Sequence, residues 1–260
     1  MITVLKIGGK VLDNAAQLDQ LIADFASLAG GKLLVHGGGK AATDLAARLG
    51  IEATMVDGRR ITDDAMLEVV TMVYGGLMNK QVVAKLQALG QNAVGLTGAD
   101  LNVIRAHKRP VSSIDYGWVG DIDQVDAPQL LALIREGILP VMAPLTHDGL
   151  GHLLNTNADT IASSVACALA ADGPVRLVYS FEKPGVLSDP NDDFSVIPLI
   201  TPSIYEAHKS AGIVSGGMIP KLDNAFDALQ AGVEEVIICQ ASSVAHIGTE
   251  SFVGTILRIN

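Results

Sequence analysis

The chain has 260 residues, of which 49% are hydrophobic, 18% charged and 4% aromatic, and its net charge is −10 at pH 7. No stretch of about 18 uncharged apolar residues occurs, which argues against a membrane span, and the negative charge disfavours nucleic acid and anionic membranes as partners. The N-terminal segment lacks the features of a signal peptide, and Cys167 and Cys239 both lie in apolar runs. We therefore expect a cytoplasmic protein with two reduced thiols.

Short β-branched segments alternate with amphipathic helices along the chain. The predicted strands span residues 3–7, 33–36, 93–96, 103–106, 139–143, 175–179 and 234–239. The predicted helices span residues 18–29, 128–136, 158–170, 202–211 and 218–231, with an Ala-rich helix that follows the glycines after residue 36 and runs to residue 49, and a further helix that starts at residues 62–64. Hairpins or loops are predicted for residues 51–62 and 117–125. The β-α-β order predicts one continuous domain, a three-layer α/β/α sandwich whose central open sheet is mainly parallel, with two functional lobes, residues 1–173 and 174–260.

Three glycine-rich turns stand out: KIGGK at residues 6–10, HGGGK at 36–40 and SGGMIPK at 215–221. Glycines let backbone N–H groups approach an anion closely, and a helix N-terminus adds the positive end of its dipole. Lysines supply mobile positive charge for phosphate. Three such turns in one chain predict a site for a phosphorylated ligand.

Two common nucleotide motifs fit this chain poorly. Residues 37–42 satisfy the dinucleotide pattern G-x-G-x-x-A, but they follow the second predicted strand, whereas the fingerprint usually follows the first strand of its unit. A nicotinamide-dependent dehydrogenase is therefore a weak alternative. None of the turns matches G-x-x-x-x-G-K-[ST], which disfavours a P-loop protein.

Polar residues cluster around the helix that begins near residue 158. Asn157 is placed to cap this helix and Asp159 falls in its first turn, but capping does not account for Asn155. Arg60 lies just before another predicted helix, where a guanidinium could grip a carboxylate with two hydrogen bonds. The histidines do not recur at metal-ligand spacing, so we assign no metal site to the protein itself.

Taken together, these segments resemble the amino-acid kinase family from end to end, and within it the kinases of N-acylated glutamate. The segments that carry the resemblance are KIGGK, VHGGGK, DGRRIT, AVGLTGAD, GWVGDI, NTNAD, PGVL, SGGMIPK and GTILR. The resemblance implies the amino-acid kinase fold and phosphorylation of the γ-carboxylate of N-acetyl-L-glutamate by ATP, a step of arginine biosynthesis. It also implies Mg²⁺ bound through the nucleotide phosphates. Residues 1–173 would bind the acylated amino acid and dimerise, and residues 174–260 would bind ATP.

The resemblance also implies roles for individual residues. Lys6 and Lys221 would stabilise the transferring phosphoryl group, and Asp159 would position both lysines. The implied substrate-binding residues are Gly38 and Gly39 at the reacting end, Arg60 at the α-carboxylate and Asn155 at the amide region. The implied nucleotide-binding residues are Gly8, Gly9, Glu182, Lys183, Gly185, Leu187, Ile213, Val214, Ser215 and Gly217. The chain departs from the family at Glu182-Lys183, where an Asp-Val pair is common before the glycine.

The chemistry agrees with this assignment. A carboxylate acceptor is already ionised at neutral pH, so phosphoryl transfer needs charge neutralisation and alignment instead of a general base. N-succinylglutamate remains an alternative substrate, and an inactive nucleotide- or amino-acid-binding regulator remains an alternative function. Arginine-inhibited relatives carry an extra N-terminal helix, whereas here the first predicted strand begins almost at residue 1. We therefore expect a homodimer that is insensitive to arginine.

Overall fold

The computed structural model describes residues 1–56, 58–214 and 218–259. The strands are β1 (Ile2–Ile7), β2 (Gly31–Val35), β3 (Met55–Val56), β4 (Arg59–Arg60), β5 (Ala93–Leu96), β6 (Ile104–Lys108), β7 (Gly120–Val125), β8 (Leu139–Met142), β9 (Leu145–His147), β10 (Leu153–Asn155), β11 (Val175–Phe181), β12 (Leu199–Ile200), β13 (Glu235–Gln240) and β14 (Thr255–Leu257). The helices are α1 (Gly9–Leu12), α2 (Ala15–Ser27), α3 (Gly39–Arg48), α4 (Asp64–Val70), α5 (Asn79–Ala88), α6 (Ala127–Arg135), α7 (Ala158–Ala170), α8 (Pro202–Ser210) and α9 (Met218–Gln230). A π-helical stretch, Thr71–Met78, joins α4 to α5, and short 3₁₀ segments span Asp100–Asn102 and Ala241–His246.

Eight strands form the central sheet, in the order β12-β14-β13-β11-β1-β2-β8-β5. Neighbouring strands run parallel except where β13 meets β14. Four further strands form a smaller sheet in the order β10-β9-β6-β7, and β3 and β4 form a separate hairpin. The prediction of a mainly parallel open sheet is confirmed.

Hydrophobic residues on the two faces of the central sheet form two separate cores. Val4 and Leu5 are neighbours on β1, and because successive strand side chains point to opposite faces, they belong to different clusters. Ile161 and Val165 of α7 pack on the face of Val4, whereas residues of α2 such as Phe25 pack on the face of Leu5. Helices therefore cover both faces of the sheet, as expected for a three-layer sandwich.

Side-chain caps fix the start of two predicted helices. Oδ1 of Asn14 accepts a hydrogen bond from the backbone N–H of Gln17 at 3.1 Å, and α2 begins at the next residue after Asn14. Asn157 caps α7 in the same way. The cap at Asn157 was predicted from the sequence, and each of the two caps satisfies N–H groups that have no partner inside the helix.

The long helical segment from α4 to α5 was predicted only at its start. It continues through the π-helical stretch, where Gly75 lies so close to Leu145 that an added Cβ would come within 3.3 Å of its Cδ1. The wider π turn carries Tyr74 toward the glycine turn after β2. Within the described ranges, no helix is both long and apolar enough to cross a membrane.

Glycine turns follow β1 and β2, at the carboxyl ends of two adjacent parallel strands. β11 borders β1 on its other side, so the chain order reverses at β1. Ligands of open α/β sheets bind in the crevice at such a reversal, outside the carboxyl ends of the strands. A ligand-binding site is therefore expected at the carboxyl ends of β1, β2 and β11.

Candidate active site

The three residues predicted to act on the phosphoryl group meet at this edge of the sheet. Lys6, near the end of β1, is 8% exposed, and its Nζ lies 2.6 Å from Oδ1 of Asp159 in the first turn of α7. Nζ of Lys221, in the first turn of α9, lies 4.2 Å from the ring centroid of Phe181, and Nζ of Lys6 lies 5.7 Å from the same centroid. Asp159, Phe181 and Lys221 together line a small cavity of about 30 Å³.

Each of these side chains is held by the element that carries it. Oδ1 of Asn157 accepts hydrogen bonds from the backbone N–H groups of Asp159 and Thr160, which fixes the first turn of α7. Lys6 lies in a largely buried strand whose other residues are uncharged, so its ammonium depends on Asp159 for a charged partner. The result is two ammonium groups and one carboxylate around one aromatic ring.

A cavity of about 220 Å³, which we name the arginine-lined cavity, opens beside this group. It is lined by Gly37, Gly38, Gly39, Met55, Gly58, Arg59, Arg60, Tyr74, Arg109, Val119, Gly120, Asp121, Pro144, Asn155, Thr156, Asn157, Ala158 and Thr160. The four predicted substrate-binding residues, Gly38, Gly39, Arg60 and Asn155, all belong to this lining. Three guanidinium groups make the cavity a natural place for carboxylates.

Gly38 has a backbone conformation and surroundings that exclude a side chain. Its φ is +149°, and a Cβ at this position would lie 2.9 Å from Cδ1 of Tyr74. Nδ1 of His36 lies 2.7 Å from the carbonyl oxygen of Gly37. Because the C=O and N–H of a trans peptide point in opposite directions, this contact turns the N–H of Gly38 away from His36.

The proton of His36 can be assigned from its neighbours. Nδ2 of Asn79 donates to the carbonyl of Val141 at 2.9 Å and to Nε2 of His36 at 3.2 Å, while Oδ1 of Asn79 accepts from Lys80. Nε2 is therefore an acceptor and Nδ1 carries the proton that reaches Gly37. Burial, with a smaller contribution from the nearby charge of Lys80, lowers the pKa of His36 to about 4, so the ring is neutral at pH 7.

Arg60 is a buried residue that ties the β3–β4 hairpin to the start of α3. Its Nη2 donates to the carbonyl of Gly39 and to Oγ1 of Thr43, each at 2.8 Å. Asn155 is fixed on the same side by a hydrogen bond from its Nδ2 to Oγ1 of Thr62 at 3.0 Å. The guanidinium and the amide are thus positioned before any ligand arrives.

A second cavity, which we name the apolar cavity, has a volume of about 130 Å³. It is lined by Lys183, Gly185, Val186, Leu187, Pro190, Ile213, Val214 and Met218. Five of the predicted nucleotide-binding residues, Lys183, Gly185, Leu187, Ile213 and Val214, are in this lining. Ser215 and Gly217 lie outside the described residues. An apolar slot with a lysine in its wall suits a flat heterocycle joined to an anionic chain.

Gly185 is held tightly against the last strand. A Cβ on Gly185 would lie 2.7 Å from Oγ1 of Thr255 and 2.9 Å from Cγ1 of Val196. The same Oγ1 accepts the backbone N–H of Val186 at 2.8 Å and donates to the carbonyl of Ile197 at 2.7 Å. The wall of the apolar cavity therefore requires a glycine at position 185, because a side chain would not fit there. It also requires the hydroxyl of Thr255.

The remaining predicted nucleotide-binding residues lie elsewhere. Gly8 follows β1, where its N–H donates to the carbonyl of Ser180 at 3.0 Å and a Cβ would lie 2.6 Å from that oxygen. Gly9 begins α1 in open space. Glu182 is not brought together with Gly185: it forms an ion pair with Lys10 and lines a different cavity, of about 310 Å³. Glu182 and Lys183 follow β11 in a bend, and their side chains have different partners, because Lys183 pairs with Asp193 at 2.8 Å.

Several residues of the site were not singled out from the sequence. The ring of Phe181 faces Nζ of both Lys6 and Lys221. His36 and Asn79 orient the turn at Gly38, and Arg109 pairs with Asp121 in the arginine-lined cavity. The hydrogen bond from Arg109 lowers the pKa of the Asp121 carboxyl. A histidine directly before three glycines was a usable sequence signal for His36. The pairing of Arg109 with Asp121 depends on the register of β6 against β7, which the sequence left open.

Sequence comparisons agree with this geometry. The chain matches the amino acid kinase family over residues 1–240. An acetylglutamate kinase of Phocaeicola vulgatus is 62% identical over 243 residues, which are 94% of this chain and 95% of that relative. An acetylglutamate kinase of Cytophaga hutchinsonii is 56% identical over 259 residues, which are 99% of this chain and 98% of that relative.

Solved structures share the fold. The protein smu.665 of Streptococcus mutans has a TM-score of 0.76 and 27% identity, with 100% of this chain and 99% of that chain covered. N-acetylglutamate synthase of Neisseria gonorrhoeae, complexed with coenzyme A and N-acetyl-glutamate, has a TM-score of 0.82 and 24% identity, with 99% of this chain and 59% of that chain covered. The match over residues 1–240 and the identity to relatives of equal length show that this chain belongs to the amino acid kinase family.

Proposed function

We propose that this chain is an acetylglutamate kinase, which transfers the γ-phosphoryl group of ATP to the γ-carboxylate of N-acetyl-L-glutamate and forms an acyl phosphate. The observation that carries the proposal is the meeting of Lys6, Asp159 and Lys221 at the edge of the sheet, next to the arginine-lined cavity. The high identity to full-length relatives that bear this name supports it.

The substrates are assigned to the two cavities by their chemistry. The arginine-lined cavity takes the acylated amino acid, with Arg60 on its α-carboxylate, Asn155 at its amide and Gly38 and Gly39 at its reacting end. The apolar cavity takes the adenine of ATP. All lining residues of the first cavity fall within 37–160 and all those of the second within 183–218, which supports the proposed lobes 1–173 and 174–260.

The reaction needs positive charge where negative charge is brought together. A carboxylate oxygen of the acceptor attacks the γ-phosphorus, and the bond to the bridging oxygen of ADP breaks, with no proton gained or lost by the acceptor. Lys6 and Lys221 offset the charge on the equatorial phosphoryl oxygens, and Asp159 keeps both ammonium groups aimed at them. The N–H of Gly38, which His36 turns away from itself, is directed to the reacting oxygens.

Magnesium is proposed to reach the site with the nucleotide. The described residues contain no group of three or more His, Cys, Asp or Glu side chains that could hold a metal ion. The described side chains therefore fit an Mg²⁺ ion bound by phosphate oxygens better than an Mg²⁺ ion bound by the protein. When bound, Mg²⁺ would neutralise part of the phosphate charge.

The alternative of an inactive regulator predicts binding without turnover. Lys6 is a buried cation whose burial is costly unless it is used or paired, and a binder of nucleotide alone has no need for Lys6, Asp159 and Lys221 to converge. The test is an ATP-dependent hydroxamate assay with N-acetyl-L-glutamate and with free L-glutamate. Hydroxamate from the acetylated form alone supports the kinase. Nucleotide binding without hydroxamate from either substrate supports the regulator.

We also propose a cytoplasmic homodimer. Met72 and Leu77, in the π-helical stretch, are 51% and 52% exposed, and apolar side chains of this size favour self-association. Cys167 and Cys239 are unpaired thiols, which suits a reducing compartment. Light scattering should give twice the chain mass, and activity should be unchanged by arginine. A monomer, a hexamer or strong inhibition by arginine would contradict this part of the proposal.

A further inference from the structure

The ring of Phe181, the last residue of β11, lies beside the three charged groups of the phosphoryl site. Nζ of Lys221 lies 4.2 Å above the ring, measured to its centroid, and Nζ of Lys6 lies 5.7 Å from the same point. Both distances fall within the range of about 6 Å in which an ammonium group is attracted to the face of an aromatic ring. One neutral side chain therefore faces both lysines.

The two lysines are held in different ways. Lys6 is largely buried and has Asp159 as a charged partner at 2.6 Å. Lys221 is exposed in the first turn of α9, and in the described part of the chain it forms no ion pair of its own. A lysine has a long flexible stem, so an exposed lysine needs a contact that keeps its ammonium in the site. The structure provides that contact in the ring of Phe181.

The sheet fixes the ring. Tyr179 and Phe181 are two residues apart on β11, so both side chains point to the face that α7 and α9 cover. Their rings stack with centroids 6.0 Å apart and planes inclined by 13°. Burial raises the pKa of the Tyr179 hydroxyl, so this group is neutral at pH 7 and offers the lysines no competing negative charge.

A ring suits this position better than a second acid would. Two ammonium groups and one carboxylate leave net positive charge for the phosphoryl group, and another carboxylate would cancel it. A carboxylate would also accept hydrogen bonds from the ammonium of Lys221. A phenyl ring attracts the ammonium through its electron-rich face and has no oxygen, so the N–H donors stay available for phosphoryl oxygens.

We propose that Phe181 is a positioning residue for phosphoryl transfer, whose ring holds the ammonium of Lys221 beside that of Lys6 by cation–π attraction. The inference rests on the proposed function, because it concerns the placement of the lysines that meet the phosphoryl group. Phe181 acts through Lys221 and not on the reacting atoms. Its loss should therefore lower kcat, which depends on charge in the transition state, more than it changes KM for either substrate.

The experiment replaces Phe181 alone by phenylalanines that carry one, two or three fluorine atoms on the ring. Fluorine withdraws electron density from the ring face and weakens its attraction for a cation, while the side chain keeps nearly the same size. We expect kcat to fall stepwise along the series, by about 3- to 30-fold in total, the range for a cation–π contact. KM for ATP and for the acylated glutamate should change by less than about 2-fold. A constant kcat along the series would overturn the inference.

The matched control is the same series at Phe226. Phe226 lies on α9, as Lys221 does, and is buried against Tyr205 with ring centroids 5.3 Å apart. Among the described residues, no lysine or arginine lies over its ring. We expect kcat to stay constant along this series. An equal fall at both positions would show that fluorination acts through packing, and would refute the role of Phe181.

A double variant tests whether the ring acts through Lys221. Phe181→Leu removes the aromatic face but keeps an apolar side chain, and should lower kcat by about 3- to 30-fold, whereas Phe181→Tyr should keep most of the activity. In the Lys221→Ala enzyme, Phe181→Leu should cause little further loss, because the cation that the ring holds is absent. An equal loss in both backgrounds would show that Phe181 supports the fold and not the lysine.

The kinase function and the role of Phe181 fail in different ways. If the wild-type protein phosphorylates neither N-acetyl- nor N-succinyl-L-glutamate, the proposed function is wrong, and this inference is wrong with it. If the wild-type protein is active and its kcat is insensitive to fluorination of Phe181, the kinase function stands and only the inference about the ring is wrong.

Discussion

Nζ of Lys6 lies 2.6 Å from Oδ1 of Asp159, and this ion pair joins the end of β1 to the first turn of α7. The strand and the helix come from distant parts of the chain, so the pair fixes where the ammonium of Lys6 stands relative to both cavities. Among the described residues that line the small cavity with Lys221, Asp159 is the only acidic one. Its charge therefore lies beside two cations, Lys6 and Lys221.

Substitution of either member of this pair should slow the chemical step. We expect Lys6→Ala to lower kcat by roughly 10²-fold, the scale for loss of one electrostatic stabiliser, and Asp159→Asn to lower it by about 10-fold or more with a small change in KM. Steady-state kinetics with both substrates measures this. Asp19→Asn, which breaks a surface pair with Lys85, is the matched control. A normal kcat in Lys6→Ala would remove that residue from the mechanism.

Lys221 should behave as the partner of Lys6. Lys221→Ala should cost roughly 10²-fold in kcat, and the double variant with Lys6→Ala should lose less than the product of the single effects because both act on one phosphoryl group. Lys209→Ala is the control, since Nζ of Lys209 rests 5.2 Å from the ring centroid of Tyr205, outside the site. Strictly multiplicative losses would show that the two lysines act in separate steps.

Arg60→Ala should raise KM for the acylated glutamate by about 10- to 100-fold, the equivalent of about 1.5–3 kcal/mol for a hydrogen bond to a charged group. Because Nη2 of Arg60 also holds the carbonyl of Gly39, kcat should fall as well, whereas KM for ATP should stay close to normal. Arg48→Ala, at the far end of α3, serves as the control. An unchanged KM for the acylated glutamate would exclude Arg60 from its binding.

Gly185→Ala should weaken nucleotide binding selectively. The added methyl would clash with Thr255 and Val196, and overpacking of this kind costs about 1–3 kcal/mol, so KM for ATP should rise by about 10-fold. KM for the acylated glutamate should change little. Gly76→Ala is the control, because a Cβ at Gly76 meets nothing within 4 Å. Equal changes in both KM values would indicate a general loss of structure.

His36 should make the protein less stable in mild acid. Its pKa in the folded protein is about 4, below the ordinary 6.5, so between these values the unfolded chain binds more protons and stability rises with pH. The stabilisation is full above pH 6.5 and is lost as the pH falls toward about 4, by about 3 kcal/mol. The non-titrating variant His36→Asn should lack this slope in denaturant unfolding, and parallel curves for the two proteins would contradict the assignment.

Local sequence patterns predicted much of the fold and part of the candidate site. The helix over residues 158–170 and the cap at Asn157 follow from periodicity and side-chain chemistry, and the structure confirms both. The strands β9, β10, β12 and β14 were missed because each has only two or three residues, too few to show a period. Their existence depends on neighbours that the sequence does not place.

The candidate site, like the fold, was predicted only in part from the sequence. Lys6 and Asp159 could be identified from glycine turns, caps and family resemblance, and the structure brings them together. The ion pair between Arg109 and Asp121 depends on how β6 is aligned with β7, and this pair contains a bulge between Arg105 and Ala106. Glu182 was expected to bind nucleotide because it lies near Gly185 in the sequence. It does not line the apolar cavity and pairs with Lys10 instead.

Six consecutive residue pairs join β1 to β11, so the parts of the chain that carry the two cavities share one hydrogen-bonded ladder. Bending between those parts would break backbone hydrogen bonds in the buried centre, which is costly. The β3–β4 hairpin, by contrast, pairs only with itself and carries Arg60 over the arginine-lined cavity. The ladder between β1 and β11 therefore sets the distance across which two molecules bound in these cavities would have to react.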